Sequence, residues 1–384
     1  MNPETPPNYD PEATPEAHKA VLDISQQIDP FSQQSIELAD ELSTWEGYIK
    51  NKDGEIEYTR PLRSVRSTQR KQKLEDFISQ ADPVKITPSR AKPVQRPYRL
   101  LMAFGDSQID FRSIGGELVP THDDRALKVI EMFNKHYMPD VVVDLGDTVD
   151  LAALSRFQAD SDHFNHSMNP AFNRAHTLYA QLRADNPAGE IKVVASNHEK
   201  RLSAFVLRNA AHLYGLKQPG ATDPYPVLSY PFLANLSAVG VDWFGGYGAA
   251  KYIYGEEYGK PPIVFKHGET MVSAGSTANK ESKDNPDVHV VRGHGHRNEV
   301  HTRTNRLGDY LSSIMVGCTC KLTGEVASYH SAVDDFGKVV PTQENWQQSL
   351  LLIEDYEGDY VFHNVPIKDG VARFQGKVFD SNET

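Results

Sequence analysis

Short apolar runs, each closed by polar residues, dominate the sequence after residue 97. Five of these runs predict buried β-strands, at 98–104, 141–145, 191–195, 263–265 and 288–291. Helical spacing of apolar residues predicts helices at 126–136 and 170–184, between the first three strands. This alternation of strand, loop and helix predicts an α/β or α+β sandwich. Strand-rich patterns at 310–316 and 350–364 favour a second sheet.

The first 96 residues carry a different pattern. Residues 1–12 are polar and Pro-rich, which predicts disorder. Helices are predicted at 15–27, 32–42 and 67–80, and a β-hairpin at 45–58 turns at Asp53-Gly54. Three prolines within 88–97 are typical of a linker. The sequence therefore predicts a small mixed α+β accessory region at 1–96 and a main domain at 97–384.

Composition narrows the class of protein. The chain has 384 residues, 39% of them hydrophobic and 24% charged, which is ordinary for a globular protein. No apolar run is long enough to span a membrane, and the acidic N-terminus does not resemble a signal peptide. Cys318 and Cys320, the two cysteines, are expected to be core thiols, and Cys-x-Cys is only a weak metal signal. These features predict a cytoplasmic location.

The net charge of −12 argues against a large nonspecific nucleic-acid surface. Its distribution is uneven, because residues 60–99 hold eleven Lys or Arg against three acidic residues, a local excess of +8. This stretch is either a solvated helix and linker or a contact for a phosphate backbone. Nucleic acid therefore stays a candidate partner through residues 60–99, and the oligomeric state is not predicted.

Each of the five strands is followed by polar residues that can bind a metal ion. Taken singly, each has an ordinary explanation as a turn, a helix cap or a hydrogen-bonded loop residue. Because open α/β folds place their chemistry at the carboxyl ends of strands, their joint occurrence predicts one site. Oxygen and imidazole ligands without thiolates suit Mn, Fe, Ni, Zn or Mg. The residues are Asp106, Gln108, Asp147, Asn197, His198, His267, His294 and His296.

The number of candidate ligands is sufficient for two metal ions if one carboxylate bridges them. Asp147 is the natural bridge, because its two oxygens can be divided between ions roughly 3.5–4 Å apart. Two divalent ions bring +4, Asp106 and Asp147 together bring −2, and a bridging hydroxide brings −1. The residual +1 would attract a phosphate ester oxygen.

The order of these motifs resembles the calcineurin-like metallophosphoesterases, from about residue 97 to the C-terminus. Gln108 stands where that family usually has histidine. Together with His122-Asp123 and the stretches at 197–202 and 345–348, it resembles members encoded by bacteriophages and prophages, which would place the protein in the host cytoplasm. The motifs are Gly105-Asp106-Ser107-Gln108, Gly146-Asp147-Thr148-Val149-Asp150, Asn197-His198-Glu199, His267-Gly268 and Gly293-His294-Gly295-His296.

The resemblance implies a four-layer α/β/β/α sandwich with two metals at the strand ends. One metal would be held by Asp106, Gln108, Asp147 and His296. The other would be held by Asp147, Asn197, His267 and His294. Asp150 is expected to support its loop, and Ser196, which is usually Gly, predicts an altered turn. Since an amide oxygen prefers harder ions than imidazole does, Gln108 favours Mn over Zn, with Fe, Ni or Mg as alternatives.

The resemblance also implies hydrolysis of a phosphoester, with the metals activating a water for in-line attack on phosphorus. His198, outside both ligand sets, would donate a proton to the leaving alkoxide or stabilise its charge. Arg201 and Arg297 lie near the motifs, where they either contact the phosphate or are solvated surface residues. The segment 217–260, rich in Gly, Pro and Tyr, is expected to shape the pocket.

Three functions stay open. The first is a phosphodiesterase or nuclease guided by the basic stretch. The second is a phosphomonoesterase or a phosphodiesterase for cyclic or other small nucleotides, which the acidic net charge favours. The third is a non-catalytic interaction module that retains the fold, which the complete set of ligand loops disfavours.

Overall fold

The structure is a computed structural model that describes residues 39–50, 56–67, 95–114, 117–155, 167–220, 223–324, 332–333, 339–340 and 342–383. The chain divides into two units, Met1–Pro83 and Val84–Thr384. This division lies near the boundary predicted after residue 96, and the assignment of domains stays a prediction.

In the first unit the described residues form an antiparallel hairpin of two strands, Ala39–Lys50 (β1) and Ile56–Ser67 (β2). Trp45 pairs with Leu62 and Tyr48 with Tyr58. The predicted hairpin is confirmed, although its strands are longer than the sequence indicated. The helix predicted at 32–42 is wrong from residue 39 onward, because those residues are strand. The helix at 15–27, nearly all of that at 67–80 and the disorder at 1–12 lie outside the described residues.

The second unit contains the remaining elements, which we number along the chain. Its strands are Arg99–Phe104 (β3), Phe111–Ile114 (β4), Glu117–Pro120 (β5), Val141–Asp144 (β6), Glu190–Val194 (β7), Val241–Phe244 (β8), Tyr252–Tyr254 (β9), Ile263–Lys266 (β10), His289–Arg292 (β11), Glu299–Thr304 (β12), Tyr310–Met315 (β13), Thr323–Gly324 (β14), Ala332–Val333 (β15), Val339–Val340 (β16), Thr342–Gln343 (β17), Gln348–Tyr356 (β18), Asp359–Lys368 (β19), Val371–Phe374 (β20) and Lys377–Asp380 (β21). Its α-helices are Asp124–Tyr137 (α1), Met168–Asp185 (α2), Glu199–Asn209 (α3), Tyr230–Leu233 (α4) and Thr277–Asp284 (α5), and its 3-10 helices are Ala152–Leu154, Ala211–Leu213, Leu236–Val239 and Glu256–Tyr258.

Two mixed sheets form the centre of this unit. The larger has the strand order β21-β20-β19-β18-β3-β6-β7-β8, in which β3, β6, β7 and β8 run parallel. The smaller has the order β12-β13-β11-β10-β9, in which β10, β11 and β13 run parallel. Short ladders join β4 to β5, β14 to β17 and β15 to β16.

Apolar side chains on the two faces of the larger sheet form two cores. One face, with Met102 and Val142, packs against α1 and α2 through side chains such as Phe133 and Leu178. The opposite face packs against the smaller sheet, and α5 lies against β11, β12 and β13 of that sheet. Full burial of one large apolar side chain contributes about 1.5–3 kcal/mol. The layers are therefore α/β/β/α, as expected, with a single short helix in the outer layer beside the smaller sheet among the described residues.

Strand 310–316 joins the smaller sheet, as predicted, but 350–364 does not. That segment forms β18 and β19, and β18 pairs antiparallel with β3 in the larger sheet. Both faces of β18 are buried, since Leu350 and Leu352 face the helices while Leu351 and Ile353 face the smaller sheet. In the described part of the chain, no helix has the length and apolar character needed to span a lipid bilayer.

Candidate metal centre

The five predicted motifs meet at one edge of the two sheets. Strands β3, β6 and β7 are parallel neighbours, and so are β10 and β11 in the facing sheet. Each strand ends one to three residues before its first candidate ligand. The carboxyl ends of parallel strands lie together, so the loops that follow them converge on a common cleft.

A first group brings together Asp106, Gln108, Asp147 and His296. The Asp106 Oδ1 lies 3.3 Å from His296 Nε2, and the Gln108 amide nitrogen lies 3.0 Å from the same imidazole atom. Ligand atoms of Asp106, Asp147 and His296 lie within 4.8 Å of one another. All four side chains are at most 2% exposed. This is the first ligand set implied by the sequence.

A second group shares Asp147 and adds Asn197, His267 and His294. His267 Nε2 lies 2.9 Å from Asn197 Oδ1, 3.1 Å from His294 Nδ1 and 3.3 Å from Asp147 Oδ2. Ligand atoms of Asp147, His267 and His294 also lie within 4.8 Å of one another. The carboxylate of Asp147 thus belongs to both groups, in the position that a bridging ligand requires.

The backbone at five of these positions is left-handed. The φ angles are 53° at Asp106, 47° at Gln108, 52° at Asp147, 73° at His294 and 54° at His296. A non-glycine residue rarely adopts this conformation, and such residues cluster at functional sites. The loops therefore hold the candidate ligands in a defined but unfavourable backbone conformation.

Two glycines let the ligand loops approach one another. Gly146 has φ of +91°, and a Cβ added there would lie 2.5 Å from the carbonyl oxygen of Val194. At Gly293 a Cβ would lie 2.7 Å from Asp106 Oδ2. The backbone amide of His294, next to Gly293, donates to that same carboxylate oxygen at 2.9 Å. A side chain at either glycine would displace a ligand loop.

Glu199 and Ser196 support the loop that carries Asp147. The carboxylate of Glu199 accepts hydrogen bonds from the backbone amides of Thr148 at 2.9 Å and Asp147 at 3.3 Å. The hydroxyl of Ser196 donates to this carboxylate and accepts from the backbone amide of His198 at 3.2 Å. Ser196 therefore ties the Asn-His turn to Glu199.

His198 lies beside the two groups and contacts the carboxylates of Asp150 and of the shared candidate ligand Asp147. Its Nδ1 is 2.9 Å from the Asp150 carboxylate, and its Nε2 is 3.5 Å from Asp147 Oδ2. Arg201 lies 3.1 Å from Nε2 and 3.0 Å from the Asp150 carboxylate. The sequence indicated only a supporting role for Asp150 in its loop. In the sequence, the feature that could have indicated this contact with His198 is the position of Asp150, three residues after Asp147 in the same motif.

The charges of the centre favour cations. Burial opposes a charge on His267, but the nearby carboxylates, with Asp147 foremost, together outweigh burial and raise the pKa of that imidazole to about 9. Burial likewise opposes a charge on His296, but its neighbours, with Asp106 foremost, together raise the pKa of that imidazole to about 9. Burial would raise the pKa of Asp147, but the surrounding imidazoles hold it well below its usual value. Since His267 and His296 hold protons at neutral pH, a metal ion that binds must displace those protons.

The residues present fit a pair of divalent ions. The donor set is oxygen and imidazole nitrogen, which suits hard or borderline ions. Gln108 Oε1 is buried and has no hydrogen-bond partner within the described chain. An amide oxygen in that position is suited to bind a cation, because an unpaired buried acceptor is otherwise unfavourable.

A buried polar network lies behind the centre. The Asp144 carboxylate accepts hydrogen bonds from the hydroxyls of Tyr179 at 2.8 Å and Thr148 at 2.9 Å. Burial raises the pKa of Asp144 to about 7 despite these bonds. Elsewhere at the edge, the buried guanidinium of Arg292 pairs with Glu281 at 2.6 Å and lies directly against Gly268. Both groups are buried supports of ligand loops.

The cysteines are free and buried, as expected of core thiols. They also lie close to a candidate ligand, because Cys320 Sγ is 3.8 Å from Nδ1 of His296. The thiols thus contact the side of His296 that faces away from Asp106.

An open cleft of about 450 Å³ lies over the centre. Arg201 and Arg297 both line it, with side chains 14% and 16% exposed, so neither is a freely solvated surface residue. The segment 344–346, including Trp346, also lines the cleft. The described residues of 217–260, a segment expected to shape the pocket, are not among those that line this cleft. From that segment, Tyr247 packs against His267, with ring centroids 6.1 Å apart. The sequence pattern alone indicated no role for Trp346.

No protein-family model matches the chain, and no curated protein matches it either. Among solved structures, it is similar to a single mutant of Vps29 from Entamoeba histolytica, with 12% identity over 73% of this chain and 99% of that one and a TM-score of 0.32. Purple acid phosphatase PPD1 from yellow lupin (Lupinus luteus) matches with 11% identity over 89% of this chain and 59% of that one and a TM-score of 0.36. A dimetal phosphatase from Danio rerio matches with 13% identity over 70% and 99% and a TM-score of 0.31.

Proposed function

We propose that the protein hydrolyses phosphoesters with two divalent metal ions. The observation that carries this proposal is the position of Asp147, whose carboxylate belongs to both groups of candidate ligands. Asp106, Gln108 and His296 would complete one site, and the second group would complete the other. Two divalent ions against two carboxylates leave a positive centre, which favours a phosphoryl group in the cleft.

The bound metals would supply an activated water and polarise the phosphoester, as two-metal hydrolases do. The chain's own residues would position and protonate the substrate. His198 would donate a proton to the leaving oxygen or stabilise its charge, and the Asp150 carboxylate, 2.9 Å from Nδ1, would orient the ring. Arg201 and Arg297, on the cleft wall, would bind the phosphoryl oxygens.

We propose a phosphodiester as the first substrate class. The cleft is open and carries two cations besides the metal centre, which suits a phosphoryl group with substituents on both sides. Nucleic acid is a candidate substrate of this class, because the basic stretch 60–99 would bind its phosphate backbone. A phosphomonoester or a small nucleotide is the second candidate, favoured by the net charge of −12. A non-catalytic module is disfavoured because no candidate ligand is missing.

We propose Mn as the metal, because the amide oxygen of Gln108 favours a harder ion than imidazole alone would select. Zn, Fe, Ni and Mg are the alternatives. Metal content measured after loading with each ion in turn, followed by activity, would rank them.

The decisive experiment measures turnover of bis(4-nitrophenyl) phosphate and 4-nitrophenyl phosphate with each metal. We expect metal-dependent hydrolysis that Asp147→Asn abolishes together with metal binding. His198→Ala should keep its metal and lose about 10²- to 10⁴-fold in turnover of an ester with a poor leaving group. His301→Ala, on the edge strand of the smaller sheet, is the matched control and should be unaffected. Absence of hydrolysis with every metal would refute the proposal, and unchanged turnover of the ester with the poor leaving group in His198→Ala would refute the role of that residue.

A further inference from the structure

The wall of the cleft next to the first ligand group is aromatic. The indole of Trp346 contacts the imidazole of His296 edge to face, with ring centroids 4.3 Å apart and ring planes at 72°. Trp346 is partly buried and lines the cleft together with Glu344 and Asn345. A flat apolar surface therefore lies directly beside the metal centre.

The position of this indole is fixed by the chain on either side of the ligand loop. The backbone amide of Gln347 donates to the carbonyl of His296 at 2.8 Å. The side chain of Gln348 donates to the carbonyl of Cys320 at 2.7 Å and to the Asp123 carboxylate at 3.0 Å. Because the residues after Trp346 are anchored to the ligand loop, the ring is held beside the centre rather than on a mobile loop.

The charges around the cleft are divided between its walls. Arg201 and Arg297 provide cations, whereas the wall around Trp346 carries the carboxylate of Glu344 and the amide of Asn345. The Asn345 amide accepts a hydrogen bond from Gln347 at 2.9 Å, which orients it. A phosphate is favoured near the arginines, and an uncharged ring with polar edges is favoured at the tryptophan wall.

We propose that Trp346 is a specificity-determining residue that stacks the nucleobase of a nucleotide-sized phosphoester, so that the substrate class is nucleotides. The inference rests on the proposed phosphoesterase function. A cleft of about 450 Å³ is suited to a single nucleotide. Stacking of a base on an aromatic side chain tolerates every base, so Trp346 selects for a nucleoside and not for one sequence.

The test compares two diesters that release the same 4-nitrophenolate, thymidine 5′-(4-nitrophenyl phosphate) and methyl 4-nitrophenyl phosphate. We expect the wild-type protein to prefer the nucleoside ester in kcat/KM. Trp346→Leu should lose this preference by about 5-fold to 150-fold, the effect of removing one stacking partner. Trp346→Phe should retain most of it. Tyr310→Leu, which removes a 66% exposed aromatic ring from another groove, is the matched control.

The ratio of the two substrates separates stacking from damage to the metal centre. If Trp346→Leu lowers turnover of both esters equally, the inference is overturned and the phosphoesterase proposal stands. If the wild-type protein hydrolyses neither ester, the phosphoesterase proposal fails. A binding measurement then tests the indole directly. Adenosine 5′-monophosphate should quench the tryptophan fluorescence of the wild-type protein, which has three tryptophans. It should not quench the fluorescence of Trp346→Phe. Equal quenching in both proteins, or equal quenching by inorganic phosphate, would contradict the stacking role.

Discussion

Gln108 is the candidate ligand whose replacement separates metal binding from folding. Its amide nitrogen lies within hydrogen-bond distance of His296 Nε2, at 3.0 Å, while its Oε1 is buried with no partner in the described chain. Gln108→Leu keeps the approximate size of the side chain and removes both polar atoms. We therefore expect opposite effects on the protein without metal and on the protein with metal.

The magnitudes follow from these two contacts. Removing an unpaired buried oxygen is favourable by about 1–3 kcal/mol, and losing the bond to His296 costs about 0.5–1.5 kcal/mol. The free energy of unfolding of the metal-free variant should therefore change by between about −0.5 and +2.5 kcal/mol relative to the wild type, where a positive value means a more stable protein. A metal ion at 100 times its dissociation constant stabilises the wild-type protein by about 2.7 kcal/mol. A 10- to 100-fold loss of affinity at the first site would reduce that stabilisation by about 1.3–2.3 kcal/mol.

Thermal unfolding with EDTA and with excess Mn measures both effects, and 1 kcal/mol shifts the midpoint of a domain of this size by roughly 2 °C. Gln181→Leu, in helix α2, is the matched control. We expect Gln108→Leu to keep or raise the midpoint in EDTA and to lose a large part of the shift caused by Mn. A metal-induced shift equal to that of the wild type would refute the assignment of Gln108 as a ligand.

Three further predictions test the supports of the centre. The pKa of Asp144 is about 7 in the folded protein, against 3.8 ordinarily, so the folded state holds the proton more tightly than the unfolded state does. The free energy of unfolding, measured with urea, should therefore fall by about 3 kcal/mol between pH 5 and pH 8. Asp144→Asn should remove that fall, and an unchanged pH dependence would contradict the burial of a neutral carboxyl. Asp150→Asn should lower kcat about 10- to 100-fold at unchanged metal content, since it orients His198; equal kcat would argue against that role. Gly268→Ala should cost at least about 2 kcal/mol of unfolding free energy, because a Cβ there would clash with a buried guanidinium nitrogen, whereas Gly376→Ala, also at positive φ but with open space around it, shows the backbone penalty alone.

The sequence predicted strands β3, β6 and β11 well because they are buried on both faces. The run 141–143 is continuously apolar, and the polar residue that follows it marks the end of the strand. Helices α1 and α2 were predicted because their apolar residues repeat at helical spacing. The order of ligands after these strands then defined the candidate centre.

Sheet membership could not be read from the same pattern. Leu350 and Leu351 face different layers, so the middle of β18, at 350–353, is apolar on both faces, and its sequence does not tell which sheet the strand joins. Its pairing with β3 is a contact between residues some 250 positions apart. The position of Trp346 depends on the same pairing, since this residue lies just before β18 and reaches His296 only through tertiary structure. Local propensity carries no information on such contacts.

The left-handed backbone at five ligand positions restricts which residue types can occupy those positions during evolution. Aspartate, asparagine and histidine tolerate this conformation better than other residues apart from glycine, while β-branched side chains are strongly disfavoured. Four of the five positions hold aspartate or histidine, and Gln108 is the exception. The backbone and the metal chemistry thus favour nearly the same few residues. Threonine, although it carries an oxygen, is excluded by shape alone, and changes of metal preference are therefore confined to exchanges among aspartate, asparagine, histidine and their close analogues.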